Sequence, residues 1–204
     1  ILSHDGLFIF EVSYLKDVIS KLTFDTIYHE HMSYHSLKPL ISFFKSIDME
    51  VIDFDLISAQ GGSIRVYVSK NKKSINQRKI IDQIKKERNM GLFKNSTYLN
   101  FYKRIKKHKK KLKKYLKKNI VEQNKILVGY GAPAKVTTFS YVFGITRKYL
   151  TKIVDDNKLK QNRLTPGRHF KIINFEILKK QNFDYIIIFA WNFSQSISQK
   201  LLKK

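Results

Sequence analysis

The chain of 204 residues contains no cysteine. Disulfides, thiolate nucleophiles and cysteine-ligated zinc or iron–sulfur sites are therefore excluded from these residues. The absence fits a reducing, cytoplasmic setting. Alanine is scarce as well, with only Ala59, Ala132, Ala134 and Ala190 in a sequence rich in Ile, Asn and Lys. A biased genome gives such a composition without any selection for binding. Long apolar runs are missing. The longest, YIIIFAWNF over Tyr185–Phe193, is far too short to span a bilayer, and no signal-peptide pattern opens the chain. Acidic residues are few: 16 Asp and Glu stand against 40 Lys and Arg, for a net charge of +24.

That excess is uneven. From Lys70 to Lys118 there are 20 Lys and Arg but only two acids, Asp82 and Glu87, a local charge of +18. Such a segment attracts nucleic acid or an anionic membrane, so a basic nucleic-acid-binding module is one function class to weigh. A plainer account is favoured by Tyr98, Tyr102, Ile105, Leu112, Leu116 and Ile120, which recur at helical spacing. The lysines then coat the outside of one long amphipathic helix.

What is present is enough to fold. Hydrophobic residues make up 43% of the chain, sufficient for one large domain or two small ones. Leu7–Val12 reads as a β-strand covered on both faces, so the chain is expected to begin in the middle of a fold. A helix is expected over Tyr14–Lys21 and another over Leu37–Ser46, with Ser36 as N-cap and Pro39 in the first turn. Met49–Ile57 and Ser63–Lys70 read as two strands joined by the glycine turn SAQGG. Lys70–Asn76 is a polar linker, and Ile80–Ile120 is mostly helix, broken near Met90–Ser96. From residue 125 the pattern changes to strands alternating with helices: KILVGY, YLTKIVDDN and DYIIIFAW as strands, FEILKK as a short helix, Ser194–Lys203 as a closing one. This alternation predicts an α/β fold with a parallel sheet and places a domain boundary near residue 70.

Two stretches carry candidate chemistry. ILVGYGAPA matches G-x-G-x-x-A at Gly129, Gly131 and Ala134, follows a strand and opens a helix. With Asp155 and Asp156 at the end of the next strand, this is the context of a dinucleotide-binding turn. Small residues let a backbone approach a pyrophosphate, and a helix N-terminus favours its charge. A nicotinamide-dependent enzyme is thus a second function class. Pro133, however, removes one N–H donor from the loop. Trp191 and Asn192 follow the last strand, where open α/β sheets bind ligands, although Trp191 also suits a core.

The other stretch is FDTIYHEHMSYHS, Phe24–Ser36, which holds His29, His31 and His35. It reads as a metal site, an acid–base site or a polar loop. The metal reading is the weakest. H-E-x-x-H counted from His29 needs histidine where Ser33 stands, and two histidines spaced like His31 and His35 are not a site.

Several stretches occur together in order: FDTIYHEHMSYHSLKPL, QGGSIRVYV, VGYGAPAKVTTFSYVFGI, IVDDNKLKQNRLTPGRHFKI and DYIIIFAWNF. In this combination the chain resembles the S-adenosylmethionine-dependent sugar C-methyltransferases, typified by nucleotide-sugar 3-C-methyltransferases. The likeness covers nearly everything but the lysine-rich helix. Those enzymes have a zinc-binding N-terminal domain, a central methyltransferase domain and a Rossmann-like C-terminal domain. The resemblance implies that Leu7–Val12 is the fifth strand of a class I methyltransferase sheet and that Met49–Ile57 and Ser63–Lys70 are its last two. Residues 1–70 would be the C-terminal half of the catalytic domain and 71–204 the Rossmann-like domain with the long basic helix. The strands that hold S-adenosylmethionine are then expected upstream of Ile1, zinc is expected only in the absent N-terminal domain, and an N-terminal half supplied in trans becomes an implied partner.

The resemblance also implies the chemistry. The substrate is a keto-sugar nucleotide. A base removes the proton next to the ketone, and the enolate attacks the methyl group. Histidine titrates in the right range for such a base, and the enolate oxygen needs hydrogen-bond donors or positive charge. By motif position His31 is the base, Glu30 orients or tunes it, Tyr28 lies in the sugar pocket as a hydrogen-bonding partner, and His29 is structural or backs the residues that touch substrate. Lys135, Lys160, His169 and Arg65 are the cationic or donor groups expected to meet the nucleotide. Gln60, Val136, Thr137, Leu159 and Arg168 depart from the family's usual residues, which bears on substrate identity.

Overall fold

A computed structural model describes residues 2–3, 5–70 and 75–202. Most of the Lys70–Asn76 linker, and Lys203 of the closing helix, lie outside the described residues. Packing divides the chain into two units: residues 1–24 with 31–104, and 25–30 with 105–204.

In the first unit, strand β1 (Leu7–Ser13) is followed by α1 (Leu15–Lys21), α2 (Leu37–Lys45), β2 (Glu50–Ile57), β3 (Ser63–Ser69) and α3 (Gln77–Asn89). The sheet order is β1-β3-β2, and β3 runs antiparallel to both neighbours. The β2–β3 connection is tight. Gln60, Gly61 and Gly62 all have positive φ, and a side chain at Gly62 would run into Asp17. Alternation on β3 sends Ile64, Val66 and Val68 inward, each 0% exposed, against Leu37, Leu40 and Phe44 of α2 and Ile80 of α3. Full burial of such side chains contributes about 1.5–3 kcal/mol each. Because α3 lies on this core, residues 77–89 pack with the first unit although they follow the boundary expected near residue 70.

Two sequence expectations change here. Strand β1 is not covered on both faces: Leu7, Phe8 and Ile9 are 45%, 45% and 49% exposed. It forms one edge of its sheet, and among the described residues its outer edge has no partner strand. Ser36 does occupy the N-cap of α2, but its side chain makes no capping bond. The cap comes from α3: Glu87, 0% exposed, accepts from the N–H groups of Leu37 at 2.7 Å and Lys38 at 3.3 Å. Glu87 also accepts from Tyr14 Oη at 2.9 Å, and Gln83 donates to that same hydroxyl at 2.5 Å. Burial holds the Tyr14 phenol far above its ordinary pKa.

Helix α4 (Asn95–Leu116) carries eight lysines and Arg104, and the division between units falls within it, after Arg104. A π-helical turn, Lys117–Val121, follows. The second unit then builds β4 (Leu127–Tyr130), α5 (Lys135–Phe143), β5 (Lys152–Val154), β6 (Lys171–Ile173), α6 (Phe175–Lys179), β7 (Tyr185–Ile188) and α7 (Ser194–Leu202). All pairs in the sheet β6-β5-β4-β7 are parallel, so the α/β class with a parallel sheet is observed. Sequence alternation indicates three strands here. The fourth, β6, is only three residues long and pairs with β5. The core joins Val128, Tyr130, Val154 and Ile173 of the sheet to Phe175, Leu178 and Ile197 of α6 and α7. No described helix is long and apolar enough to cross a membrane.

Candidate functional site

The glycine turn after β4 has strand–turn–helix form, but its polar groups face inward. Gly131 N–H donates to Val154 O at 2.7 Å. Ala132 N–H donates to the Asp155 carboxylate at 2.7 Å, and Pro133 has no N–H. Lys160 Nζ donates to Ala132 O at 3.1 Å and lies 3.6 Å from Asp155. A Cβ at Gly129 would come within 2.8 Å of the Phe189 ring and 2.9 Å of Ile153. Gly131 has φ +82, and a Cβ there would come within 2.5 Å of the Ala190 Cβ. Both glycines are thus explained by close packing of strand on strand. The acids that a dinucleotide ribose would need are engaged too. Asp155 accepts from Ala132 and Asn157 N–H, while Asp156 accepts from Tyr130 Oη and from Lys200 at 2.7 Å. The Gly131 and Ala132 N–H groups, which a dinucleotide-binding turn would aim at a pyrophosphate, are therefore bonded within the protein.

A second cluster forms at the carboxyl end of β7 and the start of α5. The Lys135 ammonium sits 3.9 Å from the centroid of the Trp191 ring and donates to Asn192 Oδ1 at 2.8 Å. A cation over an indole face is the favourable cation–π geometry. Trp191 Nε1–H donates to Asp25 Oδ2 at 2.6 Å, and Thr138 Oγ1–H donates to Ile27 O at 2.8 Å. Asp25, 6% exposed, is buried, which pushes its pKa up against the opposing pull of the indole bond and Lys135. Burial pushes the Lys135 ammonium down, with Asp25 opposing. A small cavity lined by Asp25, Lys135, Val136, Phe139 and Trp191 adjoins the cluster.

The histidine-rich stretch is shared between the units. Tyr28, His29 and Glu30 belong to the second, His31 and His35 to the first. Glu30 approaches His29 at 3.9 Å, both side chains being well exposed. Tyr28 packs edge-on against the His29 ring, and burial raises its pKa, helped by Glu30 and Asp25. His31 is half-buried, its ring edge-on to Tyr34 at 6.4 Å. His35 is tied to Ser33 at 2.9 Å. Among the described residues there is no group of three or more His, Asp or Glu arranged to hold a metal ion.

The four expected ligand-binding groups fall in different places. Arg65 lies on β3 in the first unit and pairs with Glu11 at 2.9 Å, which raises its pKa. Lys135 and Lys160 flank the same turn of the second unit. His169 is exposed, with φ +55, in the turn before β6. Sequence reasoning singled out Trp191 and Lys135 but missed Asp25, whose partner stands 166 positions away.

Comparison with known proteins bears on this arrangement. A family model described as the C-methyltransferase C-terminal domain matches residues 58–203. C-methyltransferase NovU of Streptomyces niveus is 31% identical over 198 residues, which is 97% of this chain and 47% of that protein. The chain thus spans about half the length of this curated relative.

Proposed function

The chain belongs to the C-methyltransferase family, whose C-terminal domain it carries, and from that premise we propose that it is the C-terminal part of an enzyme that methylates a carbon of a keto-sugar nucleotide. The observation that carries the reading is the family match over residues 58–203; the resemblance of the Tyr28–His31 stretch to the family's motif supports it. The proposed donor is S-adenosylmethionine. In this reading the Gly129–Gly131 turn does not hold it, because a side chain at Gly131 would already meet Ala190 and the Ala132 N–H is bonded to Asp155. Binding of the donor is therefore assigned to a part of the enzyme other than these residues, in cis or in trans. The open outer edge of β1 and an apolar groove of about 470 Å³ between β1 and α2, lined by Phe8, Phe10, Phe43 and Phe44 among others, support that assignment. So does the reading of β1, β2 and β3 as the fifth and last two strands of a class I methyltransferase sheet, with β4–β7 as the Rossmann-like domain.

What this chain contributes is proton removal. His31 takes the proton from the carbon next to the ketone, a transfer worth about 10²–10⁴-fold in rate when the base is positioned. Glu30 tunes the base, and Tyr28 offers a hydroxyl to the sugar. Arg65, Lys135, Lys160 and His169 are the candidate contacts to the nucleotide. Zinc has no place in this proposal for these residues.

The test uses this chain joined to, or mixed with, the donor-binding half. With a thymidine or uridine diphosphate keto sugar in heavy water and no methyl donor, deuterium should enter the carbon beside the ketone. His31→Ala should abolish that exchange. If the wild-type protein neither exchanges this proton nor methylates such a sugar, the proposal fails.

A further inference from the structure

Residues 25–30 pack with the second unit although the chain on either side, to Phe24 and from His31, packs with the first. This excursion carries Tyr28 and Glu30. The hydrogen bonds that hold it to the second unit include Trp191 Nε1–H to Asp25 Oδ2 at 2.6 Å and Thr138 Oγ1–H to Ile27 O at 2.8 Å. The first is unusual. A carboxylate with 6% exposure is costly to bury and is ordinarily found paired. Asp25 instead receives an indole N–H, and Lys135, the cation that acts on it among the described residues, is itself held over that indole ring. One tryptophan therefore orients both charges. A buried carboxylate fixed by a neutral donor inside a cluster next to the active segment has the features of a functional site rather than of a surface ion pair.

We propose that Asp25 and Trp191 are positioning residues for proton transfer. The indole fixes the Asp25 carboxylate, and Asp25, with the Thr138–Ile27 bond, fixes the backbone that presents Tyr28 and Glu30. Lys135, seated on the same ring, is thereby set at a defined distance from that segment. The inference rests on the preceding reading that Tyr28 and Glu30 of this segment assist the proton transfer in which His31 is the base. A misplacement of about 1 Å in such a segment costs about 100-fold in rate.

Two experiments test it. Hydrogen exchange on this chain compares wild type with Trp191→Phe, which keeps a ring under Lys135 but removes the donor, and with Thr138→Val. Amides of residues 26–30 should exchange about tenfold faster in each variant, an opening about 1.4 kcal/mol easier, while β4 and β5 keep their protection. Unchanged exchange at 26–30 overturns the latch. In the assembled enzyme Trp191→Phe should lower kcat about 100-fold with KM within about threefold. Asp25→Asn, which keeps an acceptor for the indole, should retain far more of kcat than Asp25→Ala. Faster exchange with unchanged kcat, or equal losses in the two Asp25 variants, overturns the positioning role and leaves the proposed activity standing. If the wild-type assembly transfers no methyl group, the proposed activity fails, and the exchange data alone decide the latch.

Discussion

The N-terminus of α2 is capped from another helix: Glu87 accepts the Leu37 N–H at 2.7 Å across fifty positions of sequence. The same carboxylate binds Lys38 N–H and the Tyr14 hydroxyl, so one fully buried acid joins α2, α3 and the entry to α1. Helix N-terminal donors stabilise negative charge, and removing the acceptor would leave buried donors unpaired. Glu87→Ala should therefore destabilise the first unit by about 3 kcal/mol, within the range for losing a buried charge-assisted network. Urea unfolding followed by circular dichroism measures it. Ser36→Ala, at the formal cap position, should change stability little, because its side chain makes no capping bond. The reverse ranking would refute the assignment.

The salt-bridged start of the second sheet gives a pH prediction. Asp184 accepts from Ile126 N–H at 2.8 Å and pairs with Lys125 at 3.0 Å. These contacts hold its pKa below the ordinary aspartate value, the backbone bond first. A carboxyl whose folded pKa is depressed adds stability above its unfolded value of about 3.9, and that stability is lost as pH falls through the folded value. Asp184→Asn should thus lower the melting temperature at pH 7, and the difference from wild type should close as pH falls through the acid range below about 4. A gap that stays constant across that window would show that the charge is not what matters.

The glycine turn separates packing from ligand binding. Gly131→Ala forces a side chain into positive φ and against Ala190. It should destabilise by about 1–3 kcal/mol. The wild-type chain should meanwhile show no quenching of its single tryptophan by NADH, since the Gly131 and Ala132 N–H groups are used internally. Saturable quenching at micromolar NADH would restore the dinucleotide reading.

Much of the fold was legible because local pattern and tertiary role agree. β3 alternates as a half-buried strand should, and the run in β7 announces a parallel strand. The same pattern misled at β1, whose apolar residues are exposed at a sheet edge in this chain. β6 escaped notice because three residues are too few to show periodicity. The Gly129–Gly131 turn could be located from sequence, but the use of its donors depends on Asp155, which approaches only in the folded sheet. Glu87 and Asp25 were invisible for one reason. Each acts through a partner far away in sequence, Leu37 for one and Trp191 for the other, and nothing local marks an acid destined for burial.

The donor assignment yields the remaining prediction. If S-adenosylmethionine is held elsewhere than on these residues, the isolated chain should give no saturable heat on calorimetric titration with micromolar S-adenosylmethionine. The physical basis is specific. Gly131 N–H and Ala132 N–H are already bonded to Val154 and Asp155, and opening them for a ligand would strip a 9% exposed carboxylate of one of its backbone donors, at a cost of about 1–3 kcal/mol. Micromolar binding by this chain alone would mean that a donor site exists among residues 1–204, and the proposed division of labour would be wrong. A thymidine or uridine diphosphate sugar should behave differently if Lys135 and Lys160 meet the diphosphate. It should perturb Trp191 fluorescence through the ring under Lys135, and the perturbation should weaken with salt as Lys–phosphate contacts are screened.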